Sequence, residues 1–307
     1  MKIILLVQLI NSTNKPMITS FIKSTHKLVL IALLFGSSLT GISQNKFGGL
    51  ALYTVRDDMG KDAKATLTAV AAAGYKYIEA AGYNDGKFYG MEPLVFKQTL
   101  KELGLIPVST HQGTVTLENA DAMIADVKAA GFQYFVIPVP PMGLFTFDSK
   151  DRTMGMKGSV ENLANILTTL GEKCQKAGLK LLYHNHNFEF MKNQDGIIPI
   201  DYLLENTNPK YVNFQMDLYW VTNAKADPIA YFKKYPGRFK IWHVKDMDDE
   251  GKFAPVGKGH IDFAKILAQK KLSGMKYYMV EQDNTFDLKP LEAIKISHKG
   301  LEVFGFK

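Results

Sequence analysis

The amino-acid sequence predicts an α/β protein whose folded domain is a single (β/α)8 TIM barrel. Short apolar segments alternate with helical segments eight times over about 260 residues, which is the count and length of such a barrel. Helical segments end at an Ala-Gly or Leu-Gly pair four times, at Gly74, Gly104, Gly131 and Gly178. This is a repeat of whole supersecondary units. Polar side chains at the ends of the later strands are the third indication, because barrel enzymes carry their chemistry there.

The eight predicted strands are short and mostly apolar. They are Gly49–Tyr53, Tyr75–Ala80, Ile106–His111, Tyr134–Val139, the start of Leu179–Phe190, Val212–Asp217, Phe239–Val244 and Lys276–Glu281. The fifth strand runs from an apolar segment into two histidines, two asparagines and a glutamate. Because side chains in a strand alternate between faces, His184 and His186 point the same way. Taken alone, this stretch also fits a hairpin with surface histidines.

Predicted helices separate the strands and close the chain. They are Asp62–Ala73, Pro93–Leu103, Leu117–Ala130, Val160–Ala177, a helix near Ile200–Asn206, Pro228–Tyr235, Phe263–Lys271 and Leu288–Gly305. The loop 140–158, rich in Pro, Gly, Met and Phe, follows the fourth strand and is expected to cover the barrel mouth as a lid. A doubly wound open sheet is the alternative fold. It usually has a glycine-rich phosphate turn after its first strand, and LYTVRDD is not one.

Residues 1–43 are predicted to be a signal peptide. A basic segment with Lys23 and Lys27 precedes the apolar run Leu28–Phe35, and small residues follow it. The apolar run is too short to span a membrane comfortably, so a cleaved signal is expected rather than a stable membrane anchor. A buried N-terminal helix is the alternative.

The mature protein is therefore expected to comprise residues 44–307 and to be periplasmic or secreted. Because Met17 opens a complete signal on its own, residues 1–16 are expected to be an upstream extension. A homo-oligomer is compatible with this interpretation, and the sequence does not decide it.

Charge and cysteine content argue against a nucleic-acid-binding protein and against a disulfide-stabilised one. The formal net charge is +7, and residues 1–43 contribute four lysines and no acid, which leaves 7 − 4 = +3 for the mature chain. No stripe of Lys and Arg interleaved with aromatic residues is present, so a nucleic-acid partner is not expected. Cys174 is the single cysteine, so disulfides do not stabilise this fold, and an exported protein must then rely on its core.

Four residues at the ends of strands five to eight form a predicted metal site: His184, Asp217, His243 and Glu281. They are separated by 33, 26 and 38 residues, about one βα unit each, so neighbouring strands bring them to the same rim. Two imidazoles and two carboxylates suit Mn²⁺, Co²⁺, Fe²⁺ or Zn²⁺ better than Mg²⁺ or Ca²⁺. We therefore predict one divalent metal ion with open coordination positions for a substrate.

Other side chains are expected at the same rim. Lys245 follows His243 in WHVKD, and a cation beside a metal site can stabilise an oxyanion. Trp220 follows Asp217 in DLYW, as a substrate contact or as plain packing. Glu79, His111 and His186 also lie at strand ends, although Glu79 could instead pair with a lysine inside the barrel.

Several of these segments together resemble one family. YHNHNFEF, MDLYW, WHVKD, GKGHIDF and VEQD, with LYTVRD near the start, resemble the xylose isomerase-like TIM-barrel family, which includes sugar phosphate isomerases/epimerases, inosose dehydratases and AP endonuclease family 2 enzymes. The resemblance covers essentially all of 49–305. It implies a small carbohydrate substrate and places the family's metal ligands at His184, Asp217, His243 and Glu281. Sugar-contacting positions fall on Glu79, His111, His186 and Lys245.

The resemblance predicts a sugar isomerase/epimerase-like enzyme that transfers a proton next to a carbonyl. Ketose 3-epimerases of the family have a glutamate where this chain has His184, so Glu281 is the remaining carboxylate of their acid/base pair. Two-base epimerisation is therefore not expected. With Glu281 as base and Lys245 beside it, the alternatives are isomerisation and dehydration or elimination of an inosose or a 3-keto-glycoside. A sugar-binding barrel without catalysis and a DNA-repair endonuclease are weaker alternatives.

Overall fold

Eight parallel strands close into a barrel in a computed structural model that describes residues 46–307. They are β1 (Gly49–Ala51), β2 (Tyr77–Ala80), β3 (Ile106–His111), β4 (Tyr134–Ile137), β5 (Lys180–His184), β6 (Val212–Asp217), β7 (Phe239–Val244) and β8 (Tyr277–Val280). Each strand pairs with its neighbour in sequence, and β1 pairs with β8 to complete the ring. The predicted (β/α)8 barrel is confirmed. The predicted signal peptide lies outside the described residues.

Helices follow the strands on the outside of the barrel. The main ones are α1 (Ala63–Ala72), α2 (Pro93–Glu102), α3 (Ala120–Ala129), α4 (Val160–Ala177), α5 (Pro199–Asn206), α6 (Pro228–Lys234), α7 (Phe263–Leu267) and α8 (Pro290–Val303). The ends of α4 illustrate the sequence signals that begin and end a helix. Ser159 caps the start by accepting a hydrogen bond from the Asn162 N–H, and Gly178 ends the helix with a left-handed φ of 84°. The helix predicted over Phe263–Lys271 is interrupted, because α7 ends at Leu267 and a short helix, Lys270–Ser273, follows.

The interior of the barrel is layered, and the layers explain where the polar residues lie. Its lower part is filled by seven buried apolar residues: Ala51, Val108, Tyr134, Val136, Leu182, Ile241 and Met279. Leu182, Ile241 and Met279 are each followed, two residues later, by a polar residue on the same face. These polar residues are His184, His243 and Glu281. The apolar layers therefore give way to a polar layer at the carboxyl ends of the strands.

Three short hairpins extend the loops at this polar end. They follow β2 (Tyr83–Asn84 with Lys87–Phe88), β4 (Phe145–Asp148 with Thr153–Met156) and β7 (Asp246–Met247 with Phe253–Ala254). The hairpin after β4 lies within the loop 140–158 that was predicted as a lid. Within 46–307, no helix is both long and apolar enough to cross a membrane.

Candidate functional site

The four predicted metal ligands lie together in the polar layer. One ligand atom from each of His184, Asp217, His243 and Glu281 lies within 4.8 Å of the others, and all four residues are buried. Asp217 Oδ2 is 3.9 Å from His184 Nε2 and 3.8 Å from His243 Nδ1. These separations are too long for hydrogen bonds. The four ligand atoms therefore surround a common position at which a metal ion could be bound.

The donor atoms fit a divalent cation. Asp217 Oδ1 accepts a hydrogen bond from the Trp220 N–H at 3.0 Å, because Asp217 is also the N-cap of the short helix Leu218–Asn223. Its second oxygen, Oδ2, is buried and makes no hydrogen bond of good geometry. Burial, together with His243, holds the pKa of His184 well below its usual value, so this imidazole is neutral, the form that binds metals. A neutral imidazole and a buried carboxylate oxygen are suitable ligands.

Lys245 lies beside this cluster and contacts three carboxylates. Its ammonium is 2.9 Å from Asp217 Oδ2, 2.7 Å from Glu281 Oε2 and 2.9 Å from Asp283 Oδ1. Burial alone would lower the pKa of Lys245, but the carboxylates of Asp217, Asp283 and Glu281 raise it well above its ordinary value. Lys245 is therefore a fixed positive charge. Asp283 was not among the predicted site residues, although its place two residues after Glu281 in VEQD could have indicated it.

Glu79 lies beneath the cluster and does not line the cavity described below. It is fully buried, and its Oε1 lies 2.5 Å from His243 Nε2 and 3.1 Å from His111 Nε2. Burial would raise the pKa of Glu79, but His111 and His243 lower it well below its usual value. A carboxylate on the outer nitrogen of a metal-ligating histidine fixes the orientation of the ring. The structure thus places this predicted sugar contact behind His243.

Gln215, which sequence reasoning missed, connects Glu79 to two histidines. Its Nε2 donates to Glu79 Oε2 at 2.6 Å, so its Oε1 faces the other way, 2.9 Å from His111 Nε2 and 3.0 Å from His184 Nδ1. Both imidazoles must then donate to this oxygen. Because His184 donates through Nδ1, its Nε2 lone pair faces the cluster. The only sequence signal was that Gln215 shares a strand face with Asp217.

A cavity of about 730 Å³ opens above the cluster. Among the predicted site residues, it is lined by His111, His184, His186, Trp220, Lys245 and Glu281. The His186 and Trp220 rings are 5.4 Å apart, and neither His186 Nδ1 nor Trp220 Nε1 has a hydrogen-bond partner among the described residues. Burial, followed by the charge of Lys245, lowers the pKa of His186 to about 3, so this ring is neutral. Both residues therefore line the cavity close to Lys245, where they can contact a substrate.

Two further buried carboxylates, Glu189 and Asp246, shape the loops around the cavity. Glu189 accepts from the Tyr183 hydroxyl at 2.7 Å and from the His186 N–H at 2.9 Å, which holds the turn after β5. Asp246 accepts from the N–H groups of Met247, Gly257, Gly259 and Ile261. The conspicuous motif GKGHIDF is thus a loop organised around Asp246.

Comparisons with known proteins agree with this fold. The model of the xylose isomerase-like TIM barrel family matches residues 67–297. A sugar phosphate isomerase/epimerase from Parabacteroides distasonis ATCC 8503 has a similar structure, with a TM-score of 0.70 and 26% identity over 84% of this chain and 98% of that one.

Curated relatives match over shorter segments. Inosose dehydratase of Lacticaseibacillus casei is 30% identical over 138 residues, which is 45% of this chain and 43% of the relative. Inosose dehydratase of Clostridium botulinum (strain Alaska E43 / Type E3) is 31% identical over 155 residues, which is 43% of this chain and 51% of the relative. The chain thus spans about half the length of these relatives, or less.

Proposed function

The chain belongs to the xylose isomerase-like TIM barrel family, and on that premise we propose that it is a metal-dependent enzyme of the sugar isomerase/epimerase type. It would transfer a proton at the carbon next to the carbonyl of a small sugar or sugar derivative. One observation carries the proposal: a carboxylate that can accept a proton, Glu281, and a fixed cation, Lys245, meet at the floor of one cavity, 2.7 Å apart.

His184, Asp217, His243 and Glu281 would hold one divalent ion. A bound ion of this kind supplies Lewis acidity to a carbonyl or hydroxyl oxygen, which makes the neighbouring C–H more acidic. The two nitrogen and two oxygen donors favour Mn²⁺, Co²⁺, Fe²⁺ or Zn²⁺.

Glu281 is the base in this proposal. Burial would raise its pKa, but Lys245 and His243 lower it well below the usual value, so Glu281 is ionised and can accept a proton. The same neighbours make it a weak base. Lys245 offsets this weakness, because its ammonium can also stabilise the oxyanion that develops when the C–H bond breaks. His186 and Trp220 would orient the substrate hydroxyl groups.

A dehydratase is the second candidate, and two observations favour it. The relatives about 30% identical over part of the chain are inosose dehydratases. Glu281 is also the only carboxylate of the ligand cluster that lines the cavity in the described part of the chain. One base is enough for dehydration, because Glu281 can take the C–H proton and then give it to the hydroxyl on the next carbon, which leaves as water, whereas epimerisation by two bases needs a second one.

Proton exchange in D₂O tests the proposal directly. The metal-loaded protein is incubated with free aldoses and ketoses, inososes and 3-keto-glycosides, and each reaction is followed by NMR. We expect solvent deuterium at the carbon next to the carbonyl of at least one substrate, and chelation should abolish it. A rearranged carbonyl indicates an isomerase, and loss of water or of an aglycone indicates a lyase. Binding without exchange across the whole panel would instead identify a sugar-binding barrel.

Gln215 should contribute to metal affinity without contacting the ion. Gln215→Leu removes the acceptor that orients His184 and His111 and leaves Glu79 without one donor, so we expect Mn²⁺ affinity to fall about 10- to 100-fold. Thr110→Val is the control, since Thr110 is equally buried but its hydroxyl contacts Gln112. Calorimetric titration of both variants with Mn²⁺ measures the effect. Equal Mn²⁺ affinities of the two variants would show that Gln215 does not contribute to the metal site.

A further inference from the structure

We propose that the mouth of the cavity is a second subsite, which binds the apolar face of a neutral ring attached to the reacting sugar. The substrate is then a glycoside, not a free monosaccharide. This inference rests on the proposed function and deepens it, because it concerns the part of the substrate that does not react.

The cavity is too large for one sugar ring. A six-carbon sugar has about a dozen non-hydrogen atoms, and even if each took the roughly 30 Å³ of a water molecule in the liquid, the sugar would fill only about 360 Å³. The cavity has about twice that volume, 730 Å³. Half of the space above the Lys245 and Glu281 side chains thus remains for another group.

Aromatic residues from four separate loops line this cavity: Tyr53 after β1, Phe145 and Phe147 after β4, Phe253 after β7 and Phe286 after β8. Phe147 and Phe286 are 55% and 53% exposed, and Tyr53 is 41% exposed. Exposed aromatic groups that converge on one cavity indicate a binding surface. Their faces attract both the C–H face of a sugar ring and the face of an aryl group.

Phe286 is held in its exposed position by the backbone. Its φ is 50°, a left-handed conformation that is uncommon for a bulky residue, and its N–H donates to Asn284 Oδ1 at 2.7 Å. Backbone strain of this kind persists where the surrounding structure enforces it and is frequent at ligand sites. The loop after β8 therefore presents Phe286 to the cavity instead of burying it.

Two of the aromatic residues, Trp220 and Phe253, lie beside the reacting end of the cavity. The Lys245 ammonium lies 5.6 Å from the centre of the Trp220 ring and 5.5 Å from that of Phe253, and these two rings are 5.7 Å apart. A sugar whose carbonyl lies near Lys245 would therefore direct its neighbouring substituent along Trp220 and Phe253 toward the rim.

Two of the three cations that line the cavity mouth are already engaged within the protein, which leaves them less available to a phosphate. Arg56 stacks on Tyr53 at 4.4 Å and donates to the Tyr53 and Asp283 carbonyl oxygens at 3.0 Å each. Lys252 is paired with Glu250 at 2.6 Å. Both cations are thus engaged by the protein. Arg152, on the hairpin after β4, also lines the cavity, so the experiment includes a phosphorylated sugar.

Binding measurements test this subsite independently of turnover. Calorimetry on the metal-loaded protein compares glucose, glucose 6-phosphate, cellobiose and p-nitrophenyl β-glucoside. We expect at least one of the two glycosides to bind about tenfold more tightly than glucose, a difference of about 1.4 kcal/mol. Tighter cellobiose binding identifies a sugar ring as the occupant, and tighter aryl glucoside binding identifies an aglycone. The double variant Phe147→Ala/Phe286→Ala should lose the difference.

Leu94→Ala is the matched control, since Leu94 is 67% exposed on α2 and does not line the cavity. Equal binding of glucose and both glycosides would overturn the subsite. If glucose 6-phosphate bound most tightly and Arg152→Ala abolished this binding, the proposed subsite would be wrong and the mouth would be an anion site. Because binding needs no turnover, a glycoside preference without deuterium exchange would contradict the proposed function but not the subsite.

Discussion

Turnover should fall about 10²- to 10³-fold when Glu281 is replaced by glutamine, because the amide cannot accept the substrate proton. The substitution preserves the shape of the side chain and one oxygen ligand. It weakens the contact with Lys245 and removes a negative charge from the cluster. Deuterium incorporation from D₂O is the appropriate measurement, carried out at a Mn²⁺ concentration that gives the variant the metal content of the wild type.

Glu92→Gln is the control for this experiment, since the Glu92 side chain is 63% exposed, pairs only with Lys87 among the described residues and does not line the cavity. It should exchange deuterium at the wild-type rate. If the metal-replete Glu281→Gln protein also exchanged at nearly the wild-type rate, the base would be another cavity residue. His186 would be the next candidate, because it is neutral and has an unpaired ring nitrogen.

Metal binding should disappear in Asp217→Ala and His243→Ala, since each substitution removes a ligand and leaves the others under-coordinated. At a Mn²⁺ concentration 100 times the dissociation constant, binding stabilises the folded wild type by about 2.7 kcal/mol. For a domain of this size, that corresponds to an increase in Tm of roughly 5–10 °C. Neither variant should show this increase, and metal analysis should find no stoichiometric ion.

His260→Ala is the matched control, because the His260 side chain is 47% exposed and does not belong to the cluster. It should keep both the metal and the increase in Tm. Unchanged stoichiometry in the double variant Asp217→Ala/His243→Ala would show that the ion binds elsewhere.

The fold and the ligand cluster could be predicted because both follow from short-range patterns. Alternation of strand and helix defines a barrel, and in a barrel the ends of neighbouring strands meet. His184, Asp217, His243 and Glu281 each stand at such an end, so proximity in space followed from position in the chain. No knowledge of side-chain partners was needed.

The roles of other residues depended on partners distant in sequence. Glu79 also ends a strand, but its depth depends on the register that pairs it with Ala51 and on the contact with His243, which is 164 residues away. Gln215 has an ordinary place in a buried strand, and only the opposing Glu79 and His184 show what it does. The aromatic residues that line the cavity mouth follow four different strands, so the sequence did not indicate that they converge.

The two carboxylate oxygens of Asp217 connect the proposed metal site to Trp220, whose fluorescence can be measured. One oxygen caps the helix that carries Trp220, and the other faces the cluster. We expect a cation that draws the carboxylate toward itself to shift the start of that helix, and with it the indole relative to Lys245 and His186. The sequence has one other tryptophan, Trp242, which is fully buried and stacked on Phe232. Intrinsic fluorescence should therefore report occupancy of the site through Trp220 alone, and Trp220→Phe should abolish the metal-dependent change in emission.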